Sequence, residues 1–112
     1  MGIKNPYNKW LDSIRESQED WFRRDIKSAI ANTKSKKWVK LSYISKEYAK
    51  YASTKKVDMH EVYAVDVSDL NIKSYLEQIK KELTVEGYNI IIEKRLLNND
   101  VNLLVNSITI IF

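Results

Sequence analysis

Apolar residues in the first part of the chain recur at three- and four-residue steps: Tyr7, Trp10, Leu11, Ile14, Trp21, Phe22, Ile26, Ala29 and Ile30. That spacing predicts one face of an amphipathic helix over about residues 6–32. Asn5-Pro6 supplies its start, because Asn can cap free N–H groups and Pro loses no hydrogen bond at the first helical position. Ser17-Gln18-Glu19-Asp20 interrupts the stripe. Ser17 could cap a second helix there, but a single long helix is the preferred reading.

The period then changes from helical to alternating. Lys37 to Tyr43 places Val39, Leu41 and Tyr43 on one side and Trp38, Lys40 and Ser42 on the other, which predicts a strand with one buried face. Ser45 can cap a short helix carrying Tyr48, Tyr51 and Ala52 that ends near Ser53-Thr54. Glu61–Val67 is β-branched and aromatic enough for a second strand. Ser68-Asp69 opens a helix with the stripe Ile72, Tyr75, Leu76, Ile79 and Leu83, and Gly87 supplies a left-handed exit.

Strands at about residues 88–97 and 101–112 end the pattern, with Asn98-Asn99-Asp100 tolerating the positive φ of a tight turn. The apolar set in the last strand changes from Val101, Leu103 and Val105 to Ile108, Ile110 and Phe112. A bulge near Asn106-Ser107 would move the later side chains to the other face. The element order αβαβαββ predicts a single α+β domain over residues 1–112. Its helices are expected on one face of a mostly antiparallel sheet ending in a hairpin.

Composition fits that picture and narrows the chemistry. The 112 residues are 44% hydrophobic and 11% aromatic, long and apolar enough for one cored domain. With no cysteine, disulfides, thiolate metal sites and cysteine nucleophiles are excluded. His60 is the sole histidine, and Gly2 and Gly87 the only glycines, so paired-imidazole zinc sites and glycine-rich phosphate loops are excluded too. No stretch is long and apolar enough to span a bilayer, and the first residues lack the apolar centre of a secretion signal. The expectation is a cytoplasmic protein with no membrane partner and no cofactor. An excess of Lys, Ile and Asn over Ala, Gly and Pro suits an AT-rich genome, of the kind many phages and mobile elements carry.

Charge changes the picture most. Residues 34–56 carry eight lysines against one glutamate, a net of +7, whereas residues 57–112 carry five basic and nine acidic side chains, a net of −4. Lys34, Lys36, Lys37, Lys40, Lys46, Lys50, Lys55 and Lys56 are interleaved with Trp38, Tyr43, Tyr48 and Tyr51. Lysines neutralise phosphates without reading sequence, and exposed rings between them can stack on unpaired bases. The segment therefore points to nucleic acid bound with little sequence preference, Lys34, Lys36, Lys37, Trp38, Lys40, Lys46, Lys50, Lys55 and Lys56 being the candidates. A solvated lysine face and an acidic protein partner are the competing readings.

Other candidates are weaker. Asp58, His60 and Glu61 could cluster for acid–base work, though three polar residues before a strand are more often a loop. Asp66, Asp69 and Glu93-Lys94-Arg95 supply carboxylates and bases of the kind a Mg²⁺-dependent nuclease needs, but a predicted helix separates them. No catalytic or metal-binding residue is assigned, and the expected class is non-enzymatic. Trp10, Trp21, Phe22, Ile110 and Phe112 are candidates for a protein interface. They support the alternative of a phage-type assembly subunit or inhibitor of a host enzyme, with self-association or a nucleic-acid-binding protein as partner.

Overall fold

A computed structural model of the chain describes residues 17–33, 37–59 and 61–112. The elements are α1 (Gln18–Asn32), β1 (Trp38–Ser45), α2 (Lys46–Thr54), β2 (Val62–Val65), α3 (Asp69–Val85), β3 (Asn89–Leu96) and β4 (Leu104–Ile111), with a 3-10 turn at Leu97–Asn99. The four strands form one sheet in the order β2-β1-β4-β3. β4 is antiparallel to both neighbours and β2 is parallel to β1. The α+β class and the mostly antiparallel sheet agree with the sequence pattern.

Local chemistry sets the helix starts. Ser17, Ser45 and Ser68 are each in extended backbone and accept a hydrogen bond from the N–H three residues on. At Ser17 this corrects the single long helix: its ψ of 151° is extended, so α1 starts at Gln18 and does not continue a helix from residue 6. The interruption of the apolar stripe was the signal. Residues 6–16 lie outside the described residues.

Register assigns the faces. Val39, Leu41, Tyr43, Ile90, Ile92, Ile108 and Ile110 share one face, and α1 and α3 cover it with Phe22, Ile26, Ile72, Leu76, Ile79 and Leu83. On the opposite face, Ile44 and Val105 pack with Ala49 and Ala52 of the short α2. Two helices thus share one face, and α2 sits at one end of the other. Connection direction gives the reason. The β1-α2-β2 crossover steps outward across the sheet, and the β2-α3-β3 crossover returns over it. Crossovers of the same right hand in opposite directions leave their helices on opposite faces.

This two-sided burial also removes the expected bulge. β4 keeps unbroken register with β1 from Leu41↔Ile108 to Ile44↔Val105, and with β3 along its length. Val105 is buried under α2, whereas Ile108 and Ile110 are buried under the other two helices. The apolar set changes face because the cover changes side. At the hairpin, Asn98 and Asn99 take φ of 56° and 54° as expected of that turn.

Candidate nucleic-acid interface

The short β2 shapes the site. It pairs with β1 only from Ser42 to Ser45, so Trp38–Leu41 has no strand beside it on that side among the described residues. On the other side, Phe112 N–H donates to the Lys37 carbonyl at 3.0 Å, which fixes the phase of the antiparallel ladder. Peptide groups of residues 37, 39 and 41 then point toward β4. Those of Trp38 and Lys40 point toward the side that β2 leaves open.

A cleft of about 760 Å³ lies along this open edge. Lys37, Trp38, Lys40, Ser42, Tyr63 and Arg95 line it, together with Thr33, Val39, Leu41 and Glu61. Trp38 is 56% and Tyr63 57% exposed, large values for rings of that size. They belong to opposite faces of the sheet, Trp38 with Lys40 and Ser42, Tyr63 with Tyr43. The two rings therefore flank the open edge. No ion pair ties up Lys37, Lys40 or Arg95 among the described residues. One carboxylate, Glu61, shares the cleft with these three cations.

Of the lysines singled out by the sequence, the fold brings Lys37 and Lys40 together with Trp38 on one cleft that Lys46, Lys50, Lys55 and Lys56 do not line. Lys34 and Lys36 lie outside the described residues. Lys50 is on the exposed side of α2, and Lys55 places its Nζ 5.7 Å from the centre of the Tyr51 ring. Lys56 follows in left-handed backbone. Lys46 lines a different crevice, of about 340 Å³, between the N-termini of α2 and α3. Parallel strands with diverging helices often bind ligands at that position. Here Glu47, Asp66 and Asp69 line it, which disfavours an anion.

Other interleaved aromatics serve the core. Tyr43 is fully buried, and Tyr48 and Tyr51 pack against the cluster under α2. The sequence reading missed Tyr63 and weighed Arg95 only beside Glu93 and Lys94 as a base of a nuclease site. Both are distant in sequence from Lys37–Lys40 and reach that stretch only through strand pairing. An exposed ring on an alternating strand was the available signal for Tyr63.

The acidic candidates do not assemble into one centre. Asp69 accepts from Lys94 Nζ and from Asn106 Nδ2, each at 2.7 Å, so its two oxygens are occupied in holding β3 and β4 to α3. Alternation places Glu93 and Arg95 on the opposite face from Lys94. Among the described residues no group of three or more His, Asp or Glu is arranged to hold a metal ion. His60 lies outside the described residues.

The interface candidates divide similarly. Ile110 and Phe22 are fully buried, so they are core residues and not surface anchors. Each lies on the sheet or helix face that closes the main core. Trp21 is 37% exposed, its ring edge-on to Phe22 at 5.1 Å. Phe112 is 46% exposed and stands edge-on to Tyr88. Trp10 lies outside the described residues. No helix among the described residues is long and apolar enough to cross a membrane.

Comparison with protein-family models, with curated proteins and with solved structures finds no match. The functional reading therefore rests on the chemistry of the cleft.

Proposed function

We propose that the protein is a non-enzymatic binding module whose cleft along β1 engages nucleic acid with little sequence specificity. The observation that carries this reading is that Lys37, Lys40 and Arg95 all line one cleft flanked by two exposed rings, Trp38 and Tyr63. Three cations supply phosphate neutralisation and counterion release. The rings add sequence-tolerant contact with bases. Lysine outnumbers arginine in the cleft, which suits point-charge contact better than bidentate reading of guanine.

Fluorescence anisotropy of a labelled oligonucleotide, titrated at several salt concentrations, tests this. Three phosphate contacts predict a log–log slope of about −2 to −3. Lys37→Glu with Lys40→Glu should abolish binding at moderate salt while far-UV circular dichroism stays unchanged. Charge reversal at Lys46 and Lys50, outside the cleft, should weaken it far less. Affinity independent of salt, absence of binding at low salt, or equal damage from the two pairs overturns the reading.

A protein partner is the second reading, as an assembly subunit or inhibitor. It is favoured by the outer edge of β3, which no strand covers among the described residues, together with the exposed Ile91 and Phe112. Light scattering at high concentration checks self-association, and a strict monomer counts against it.

A further inference from the structure

We infer that the ligand of the β1 cleft is a single strand, because both features that would grip it require unpaired bases. The inference rests on the nucleic-acid reading above and specifies its substrate class. First, Trp38 and Tyr63 present more than half of their surface beside the open edge. A base stacks on such a ring only after leaving its neighbours, whereas bases inside a duplex are already stacked on both sides. Second, the outward N–H and C=O groups of Trp38 and Lys40 form a short row of donors and acceptors at the floor of the cleft. That follows from the β1–β2 pairing, which stops at Ser42, and from the Lys37–Phe112 hydrogen bond, which sets the phase. The Watson–Crick edges of bases can pair with such a row only when their partner bases are gone.

The charge distribution chooses between occupants. An unpaired strand edge also accepts an extended peptide. Lys37, Lys40 and Arg95 against Glu61 alone, with two rings in reach, match a strand that alternates phosphate with flat apolar faces. The side chain of Lys40 and its outward peptide group lie on one residue. A nucleotide can thus set its phosphate on the ammonium while its base reaches the edge.

The test compares a single-stranded oligonucleotide, its duplex and a poly-glutamate peptide of similar length on the full chain. The expected result is at least tenfold tighter binding of the single strand than of the duplex, quenching of Trp38 fluorescence by the single strand alone, and slowed hydrogen exchange at the Trp38 and Lys40 amides in that complex. Trp38→Phe identifies the quenched tryptophan among the three in the chain. Trp38→Leu should lose about tenfold in affinity for the single strand and little for the duplex.

Equal affinity for strand and duplex, without quenching or amide protection but with the salt dependence intact, overturns this inference and leaves the polyanion reading standing. Failure of both nucleic acids to bind overturns the polyanion reading itself. Amide protection by poly-glutamate with no single-strand binding assigns the edge to a peptide and overturns both. The exchange measurement uses the unaltered chain, so the inference stays testable even where Trp38→Leu disturbs folding.

Discussion

Removing the hydroxyl of Tyr43 should destabilise the protein by about 1.5 kcal/mol, and the structure shows why the effect is neither negligible nor catastrophic. The Tyr43 ring is fully buried at the centre of the sheet, edge-on to Phe22 at 4.9 Å and to Trp21 at 6.4 Å. Its O–H donates to Asp25 Oδ2 at 2.7 Å, tying β1 to α1 across 18 residues of chain. A hydrogen bond to a charged acceptor contributes about 1.5–3 kcal/mol. Asp25 is only partly buried, so water replaces part of the lost bond and the lower end applies. Tyr43→Phe keeps the ring packing, whereas Tyr43→Ala would also empty the core and cost about 3–5 kcal/mol.

Asp25→Ala should cost about the same as Tyr43→Phe, because it leaves a buried O–H without its acceptor. The double variant should cost clearly less than the two singles together, with a coupling of about 1 kcal/mol. Urea unfolding followed by circular dichroism and tryptophan fluorescence reads all three. Burial, reinforced by the bond to Asp25, pushes the phenol well above its ordinary value of 10.0. Folding therefore favours the protonated phenol, so its contribution is complete below pH 10 and declines as pH rises further. Tyr43→Phe should flatten that alkaline decline. A cost under about 0.3 kcal/mol, or strictly additive singles, would refute the hydrogen bond as the link between β1 and α1.

Two further outcomes follow from other parts of the fold. Arg23 donates to both oxygens of Glu82, at 2.8 and 2.6 Å, and also meets Glu19 and Asp20, so it clamps α1 to α3. The Arg23 hydrogen bond holds the Glu82 carboxyl below its ordinary value of 4.5. The stabilisation is therefore present above that pH and fades as pH falls through the lowered value. Glu82→Gln should cost about 1 kcal/mol at neutral pH and progressively less in acid, measured by urea midpoints across pH. Gly87→Ala should lower stability by about 1–2 kcal/mol through backbone strain alone, because its φ is +101° and a Cβ would meet nothing within 4 Å. A thermal midpoint equal to the parent's would contradict that.

The parts legible in the sequence were those with local causes. Ser45 and Ser68 cap their helices through their own side chains, Gly87 takes the positive φ that closes α3, and Asn98-Asn99 turns the hairpin. The stripe Ile72, Leu76, Ile79 and Leu83 is buried as its spacing implies. What escaped was non-local. The side on which α2 packs depends on crossover direction, and Val105 reads as out of phase until the second cover is known. The same holds for the site. Lys37, Trp38 and Lys40 are adjacent in sequence and stay together, but Lys46, Lys50, Lys55 and Lys56 leave with α2. Tyr63 arrives by pairing with Tyr43, 20 residues away, and Arg95 arrives because β4 pairs with both β3 and β1. A charge run marks a segment, and only the sheet decides which of its members share a surface.

Chemical-shift mapping of the ¹⁵N-labelled protein with a short single-stranded oligonucleotide at low salt is the most direct measurement. Perturbations confined to Lys37–Ser42, Tyr63 and Arg95 are the predicted result. Perturbations centred on Lys46, Asp66 and Ser68, or spread evenly over every exposed lysine, would contradict a nucleic-acid site at the open edge of β1.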